Sequence, residues 1–257
     1  MGNIGREVQR LMRAQSTVTV PAEMEPLFAA LPALETAERM CRRPRSAGAN
    51  GDADVSLLPP PGTAGDRLTV VLDLDETLVH CRLDQLESTR PDFCVSFEDT
   101  DVRGFVYLRP SVMLFLEVAA RLFEVVVFTA SSQNYADQVL DRLDPGGRRI
   151  ARRLYRQHCT EADGTFFKDL RRMDRPLERA VLVDNSLVSL MLCPDNGVLA
   201  STWIAEADED RELLDLLLLL QECAVRPSVP AFLRERYGLS TFLQEVQRRP
   251  QRFRLDE

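Results

Sequence analysis

The chain has 257 residues, 45% apolar and 28% charged, which reads as an ordinary globular protein with one sizeable domain plus terminal segments. Its net charge of -8 argues against wholesale attraction to nucleic acid or to an anionic membrane. Six cysteines without a C-x-x-C pair argue against a zinc site and a disulfide framework, and the longest strongly apolar stretch, 216–220, is far short of a membrane span.

From the amino end, residues 1–43 carry apolar positions at helical spacing (Leu27, Leu31, Leu34) interrupted by Pro21, Pro26 and Pro32, which predicts short helical pieces. No secretory pattern opens the sequence, and Met1-Gly2 is followed by Arg6 where myristoylation favours Ser or Thr. With the cysteine usage, this predicts an intracellular protein, nuclear or cytoplasmic. Residues 44–66 turn to Pro, Gly, Ala, Ser and Asp and read as a linker. The expected organisation is therefore a flexible region over 1–66, a domain over 67–243 and a tail over 244–257.

Within the domain, the short apolar run 68–72 predicts a buried strand that leads straight into Asp73-Leu74-Asp75-Glu76-Thr77. The alternation over 93–97 and the run 105–108 predict a small antiparallel excursion. A helix is expected from Pro110-Ser111 to about 123, with Ser111 near its cap. A second buried strand over 124–128 ends in Thr129-Ala130-Ser131-Ser132, and a helix over 134–143 stops at Pro145-Gly146-Gly147. Phe166 leads to Lys168 and a short helix. The run 180–183 predicts a third buried strand, ending in Asp184-Asn185-Ser186. Residues 197–200 predict a fourth, and 208–223 an amphipathic helix.

Strands alternating with helices imply an α/β protein, a mostly parallel Rossmann-like sheet with helices on both faces and a small antiparallel β insert. Such sheets bind ligands beyond the carboxyl ends of their strands. Asp73, Thr129 and Asp184 each fall one or two residues past a predicted strand, so three polar clusters converge on one rim.

Each cluster alone has an ordinary explanation: Asp-x-Asp is common in loops, Thr129 and Ser131 suit helix caps, and Asp184-Asn185-Ser186 suits a turn. His80 and His158 lack metal-ligand spacing and receive no catalytic role. Of the 32 basic residues only Lys168 is a lysine, which makes it a position to watch. Taken together, the groups suit phosphoryl transfer. Asp73 can act as nucleophile and Asp75 as general acid and base. A carboxylate approaching a phosphate dianion meets repulsion of about 4 kcal/mol at contact, so a cation is needed. Mg2+ could take oxygens from Asp73, the Asp75 backbone carbonyl, and Asp184 or Asn185. Lys168 and the Thr129 hydroxyl would meet the transferring group. No cysteine is followed six residues later by Arg, so a thiolate-loop phosphatase is excluded.

The string Asp73-Leu74-Asp75-Glu76-Thr77-Leu78-Val79-His80 resembles the first motif of the haloacid dehalogenase superfamily. More narrowly, it is similar to the small phosphatases that act on the RNA polymerase II C-terminal domain (the FCP1 homology domain). Leu108-Arg109-Pro110, Phe128-Thr129-Ala130-Ser131, Tyr135-Ala136-Asp137, Phe167-Lys168-Asp169-Leu170 and Val183-Asp184-Asn185-Ser186 follow in that family's order. The resemblance covers about 67–223, with a weaker echo to 243.

It implies a Mg2+-dependent serine/threonine phosphoprotein phosphatase with catalytic Asp73, Asp75, Thr129 and Lys168. Substrate would meet Thr129, Ser131, Arg156 and Lys168, and the metal Asp73, Asp75, Asp184 and Asn185. The insert over 93–108 resembles the family's small sheet, which leaves the site open to a phosphorylated peptide. Leu187 and Ala200 depart from the family, which favours Pro at both places. The Arg148, Arg149, Arg152 and Arg153 cluster reads as a solvated helix face, or else as a docking surface for acidic partners. Two other activities are weighed: a phosphatase for a small metabolite, which a helical lid would favour, and an idle phosphopeptide-binding scaffold.

Overall fold

The computed structural model describes residues 18–20, 30–42, 56–60, 67–248 without 88, 98–100, 207 and 208, and 253–255. The elements begin with β1 (Val18–Val20), α1 (Leu31–Arg42), β2 (Thr69–Leu72), β3 (Val79–Arg82), β4 (Phe93–Ser96) and β5 (Arg103–Leu108). There follow α2 (Val112–Leu122), β6 (Glu124–Phe128), α3 (Gln133–Leu143), β7 (Arg152–Leu154), β8 (Thr160–Ala162) and β9 (Thr165–Phe167). The chain continues with β10 (Ala180–Asp184), α4 (Leu187–Leu190), β11 (Gly197–Leu199), α5 (Glu212–Ala224), α6 (Val229–Tyr237), α7 (Leu239–Arg248) and β12 (Phe253–Leu255).

Five strands form a parallel sheet of order β11-β10-β2-β6-β7, as the alternation of strands and helices predicts. The period of two in a strand sends successive side chains to opposite faces, and both faces are covered. Val70, Leu72, Val125, Val127, Val181 and Val183 meet α2, α3 and α5 through Phe115, Leu116, Val139, Leu140, Leu216 and Leu220. Val71, Val126, Phe128 and Leu182 meet Phe167, Leu170, Leu190 and the α7 residues Phe242 and Leu243 on the other face. Each such aliphatic side chain, fully buried, contributes about 1.5–3 kcal/mol of transfer free energy. That double burial is why these strands read as continuous apolar runs.

The excursion between β2 and α2 is a three-stranded antiparallel sheet of order β3-β5-β4. Its middle strand comes so close to its neighbours that a Cβ at Gly104 would sit 2.7 Å from Cys81 Sγ and 2.9 Å from Val95 Cγ2. Only glycine fits there without displacement. Gln138 of α3 clamps the outer strand, accepting from the Ser96 amide at 3.0 Å and donating to the Ser96 carbonyl at 2.8 Å.

Several local expectations change. The helix at 31–42 is one continuous element, because Pro32 falls in its first turn, where the missing N–H costs nothing. The rest of the expected N-terminal pieces lie outside the described residues. Ser111 begins α2 without capping it: its φ is 67° and its hydroxyl accepts no cap bond. The helix expected from 208 starts at Glu212, whose amide donates to Asp210 Oδ1 at 3.1 Å. The arginine cluster is not a helix face. Arg152 and Arg153 lie on β7, the sheet's edge strand, and Arg149 and Arg153 are paired with Glu117 and with Asp137 and Asp141. Leu58, in the expected linker, is buried against the second core face, and the Leu57 amide donates to the Arg172 carbonyl at 2.7 Å. Among the described residues no helix is long and apolar enough to cross a membrane.

Candidate active site

The strand ladders run one residue past the strands and so fix where the polar residues emerge. The Asp73 amide donates to the Val183 carbonyl at 2.9 Å, the Thr129 amide to Leu154 at 3.0 Å, and the Ala200 amide to Asp184 at 2.9 Å. Asp73, Thr129 and Asp184 thereby leave the neighbouring strands β2, β6 and β10 at one rim. After Asp73 the chain closes a tight loop: the Leu78 and Val79 amides both donate to Leu74, and Glu76 takes a left-handed φ of 57°. The loop is tied down from outside. The Trp203 amide donates to the Glu76 carbonyl, and the buried Arg109 guanidinium donates to the Thr77 carbonyl at 3.1 Å while forking onto Asp210.

Lys168 enters from the end of β9, fully buried. Its Nζ donates to Asp73 Oδ1 at 2.5 Å and to Asp184 Oδ2 at 2.6 Å. The other Asp184 oxygen accepts from the Ser186 amide at 2.8 Å. Burial, the Asp184 carboxylate and Asp75 together outweigh the ammonium and push the Asp73 carboxyl up to about 8. Burial alone would favour a neutral Lys168, but Asp184 and Asp73 overcome it and hold the ammonium above the ordinary lysine range.

Asp75 is gripped on both oxygens. Ser131 Oγ donates to Oδ2 at 2.7 Å and Thr129 Oγ1 to the same atom at 3.3 Å, while the Tyr135 hydroxyl donates to Oδ1 at 2.6 Å. Asn185 accepts from Thr77 Oγ1 and donates to Thr202 Oγ1, each at 3.3 Å. Arg156 is exposed, its Nε donating to the Ala130 carbonyl at 2.6 Å and its guanidinium 5.5 Å from the centre of the Phe166 ring.

The candidate site residues read from the sequence thus fall in one neighbourhood, though Thr129 and Ser131 meet Asp75 rather than standing free. His80 and His158 serve locally: His80 Nδ1 lies 3.1 Å from Glu76 Oε1, and His158 Nδ1 accepts from the Tyr155 amide. Sequence reasoning gave no role to Tyr135, Arg109 or Thr77. All three lie inside resembling strings, which was the available signal.

An acid–ammonium centre at the carboxyl rim of a parallel sheet, beside a small antiparallel insert, defines a haloacid dehalogenase-type α/β protein. The family model described as NLI interacting factor-like phosphatase matches residues 68–233, and the chain belongs to that family. CTD small phosphatase-like protein 2 of Dictyostelium discoideum is 37% identical over 189 residues, 74% of this chain and 33% of that protein. A probable C-terminal domain small phosphatase of the same organism is 44% identical over 67% of this chain and 56% of its own length. Phosphatase PSR1 of Saccharomyces cerevisiae is 41% identical over 68% of this chain and 40% of its own length. The matches thus span from a third to a little over half of these relatives. A solved structure of Fcp1, an essential RNA polymerase II CTD phosphatase, is similar with a TM-score of 0.47 and 16% identity over 72% of this chain and 54% of that one.

Proposed function

We propose that the protein is a Mg2+-dependent phosphatase of phosphoserine and phosphothreonine in proteins, working through a phosphoaspartate on Asp73. The observation that carries this reading is the buried Lys168 ammonium shared between Asp73 and Asp184, with Asp75 two residues along the same rim. Family membership supports it. The donor set also suits a hard divalent cation: oxygen groups only, with the Asp73, Asp75 and Asp184 carboxyls gathered around a single ammonium, so that a cation bound there would favour the ionised form of Asp73. Among the described residues no group of three His, Cys, Asp or Glu side chains could hold a metal unaided. A mixed set of Asp73, Asp184, the Asn185 amide and the Asp75 backbone carbonyl would be the one to hold it. Bound there, Mg2+ supplies positive charge against the incoming phosphate.

In the first step an Asp73 oxygen bonds to phosphorus as the ester P–O bond breaks, and Asp75 gives its proton to the leaving oxygen. In the second, Asp75 takes a proton from water as the water oxygen bonds to phosphorus. The aspartyl P–O bond breaks, returning the Asp73 carboxylate and inorganic phosphate. Lys168 meets charge on the transferring group, and Arg156 and the Thr129–Ser131 loop receive the phosphate on the open side.

The insert supports a protein substrate, because its described residues form three strands and no helical lid. Six free cysteines support a reducing intracellular compartment, nuclear or cytoplasmic. The expected result is hydrolysis of 4-nitrophenyl phosphate and of a phosphoserine peptide that needs Mg2+, stops with a chelator and is lost in Asp73→Asn. Undiminished turnover in Asp73→Asn overturns the mechanism.

A further inference from the structure

Tyr135 comes from the first turn of α3, an element separate from the Thr129–Ser131 loop, and its ring is buried. The ring stacks on Phe97 at 5.9 Å between centroids, 12° from parallel. Its hydroxyl reaches the one Asp75 oxygen that the loop leaves alone. The terminal torsion of an aspartate is broad and two-fold, so a carboxylate held at Oδ2 only can still swing. A second donor on Oδ1 removes that freedom. The phenol O–H is the donor in that bond, at 2.6 Å from Oδ1.

We propose that Tyr135 is a positioning residue for proton donation: its O–H fixes the Asp75 carboxyl and strengthens its grip as negative charge grows there. This rests on the phosphatase reading above. When Asp75 passes its proton to the leaving oxygen, Oδ1 gains charge and accepts the Tyr135 hydrogen bond more strongly than before the transfer. The stabilisation is therefore larger in the transition state than in the ground state, and larger the more proton transfer the leaving group demands.

A series of phenyl phosphates, from 4-nitrophenyl to unsubstituted phenyl, tests this at nearly constant substrate size, with kcat/KM reporting the first phosphoryl transfer. Tyr135→Phe keeps the ring against Phe97 and removes only the hydroxyl. Its kcat/KM should fall by about threefold on 4-nitrophenyl phosphate and by about thirtyfold on phenyl phosphate, steepening the dependence on leaving-group basicity. A loss of the same size across the series, or none, overturns the positioning role while the phosphatase reading stands. Wild-type protein that turns over no member of the series, or turnover that survives Asp73→Asn, removes the reading and the inference with it.

Discussion

At the scale of single residues, the centre is a balance between burial and pairing. Removing Lys168 leaves Asp73 and Asp184 facing each other without the ammonium that both accept from. Breaking a buried pair in this way costs about 3–5 kcal/mol. Lys168→Met should therefore lower the urea midpoint substantially and abolish turnover, and a midpoint within error of wild type would refute the account. Arg109 holds a comparable position away from the reacting groups, with its fork on Asp210 and further donors on Ser201 and the Thr77 carbonyl. A lysine has the charge but not the fork, so Arg109→Lys should cost about 2–4 kcal/mol in a urea titration. The paired acids and the hydroxyl loop were legible because each follows a recognisable apolar run, and Lys168 because it is the only lysine in the sequence. The roles of Tyr135 and Arg109 were not, because their partners lie 60 and 101 residues away and only topology brings them together.

At the scale of elements, strands buried on both faces were read almost to the residue: 124–128 is β6, and 180–183 is β10 but for Asp184. The edge strand β7 was missed because its arginines look like solvated surface, whereas its pairing with β6 depends on backbone alone. β3 was missed because it starts two residues after the acidic string, with no turn residue to announce it. The turn between α3 and β7 shows how one side chain can order a loop. Buried Asp144 accepts from the amides of Arg148, Arg149 and Ile150 at 2.9, 3.0 and 3.0 Å. Burial alone would raise its pKa, but the three amides outweigh it and hold the carboxyl below its ordinary 3.8. The stabilisation is thus complete above the unfolded value and lost as pH falls through the lower folded one. Asp144→Asn should lose about 2 kcal/mol at neutral pH and flatten the fall of the urea midpoint below about pH 4. An acid limb unchanged from wild type would contradict this.

At the scale of the whole molecule, the described core extends past the region that resembles the family. Leu34 and Ala37 of α1, and Leu58, join the second face of the sheet, and Arg39 and Thr36 both engage Asp163 in the turn between β8 and β9. Their burial adds apolar contact without touching Asp73, Asp75 or Lys168. A chain starting at Arg67 should melt about 5 °C or more below the full chain while still hydrolysing 4-nitrophenyl phosphate. Loss of turnover at temperatures where the shortened chain is folded would make the amino-terminal segment part of the active unit. The layered architecture was legible from the alternation of runs. The packing of 31–42 and 56–60 was not: the first reads only as a short helical piece and the second only as linker, and neither pattern says what it rests against.

The lone lysine has a consequence of another kind. With 31 arginines and a single side-chain amine, itself 2% exposed, these 257 residues when folded present no lysine to acylating reagents or to enzymes that build isopeptide bonds. Conjugation of ubiquitin to a lysine must then wait for the core to open. Modification of Lys168 would clock the opening of the core, and the same event that exposes it parts the ammonium from Asp73 and Asp184.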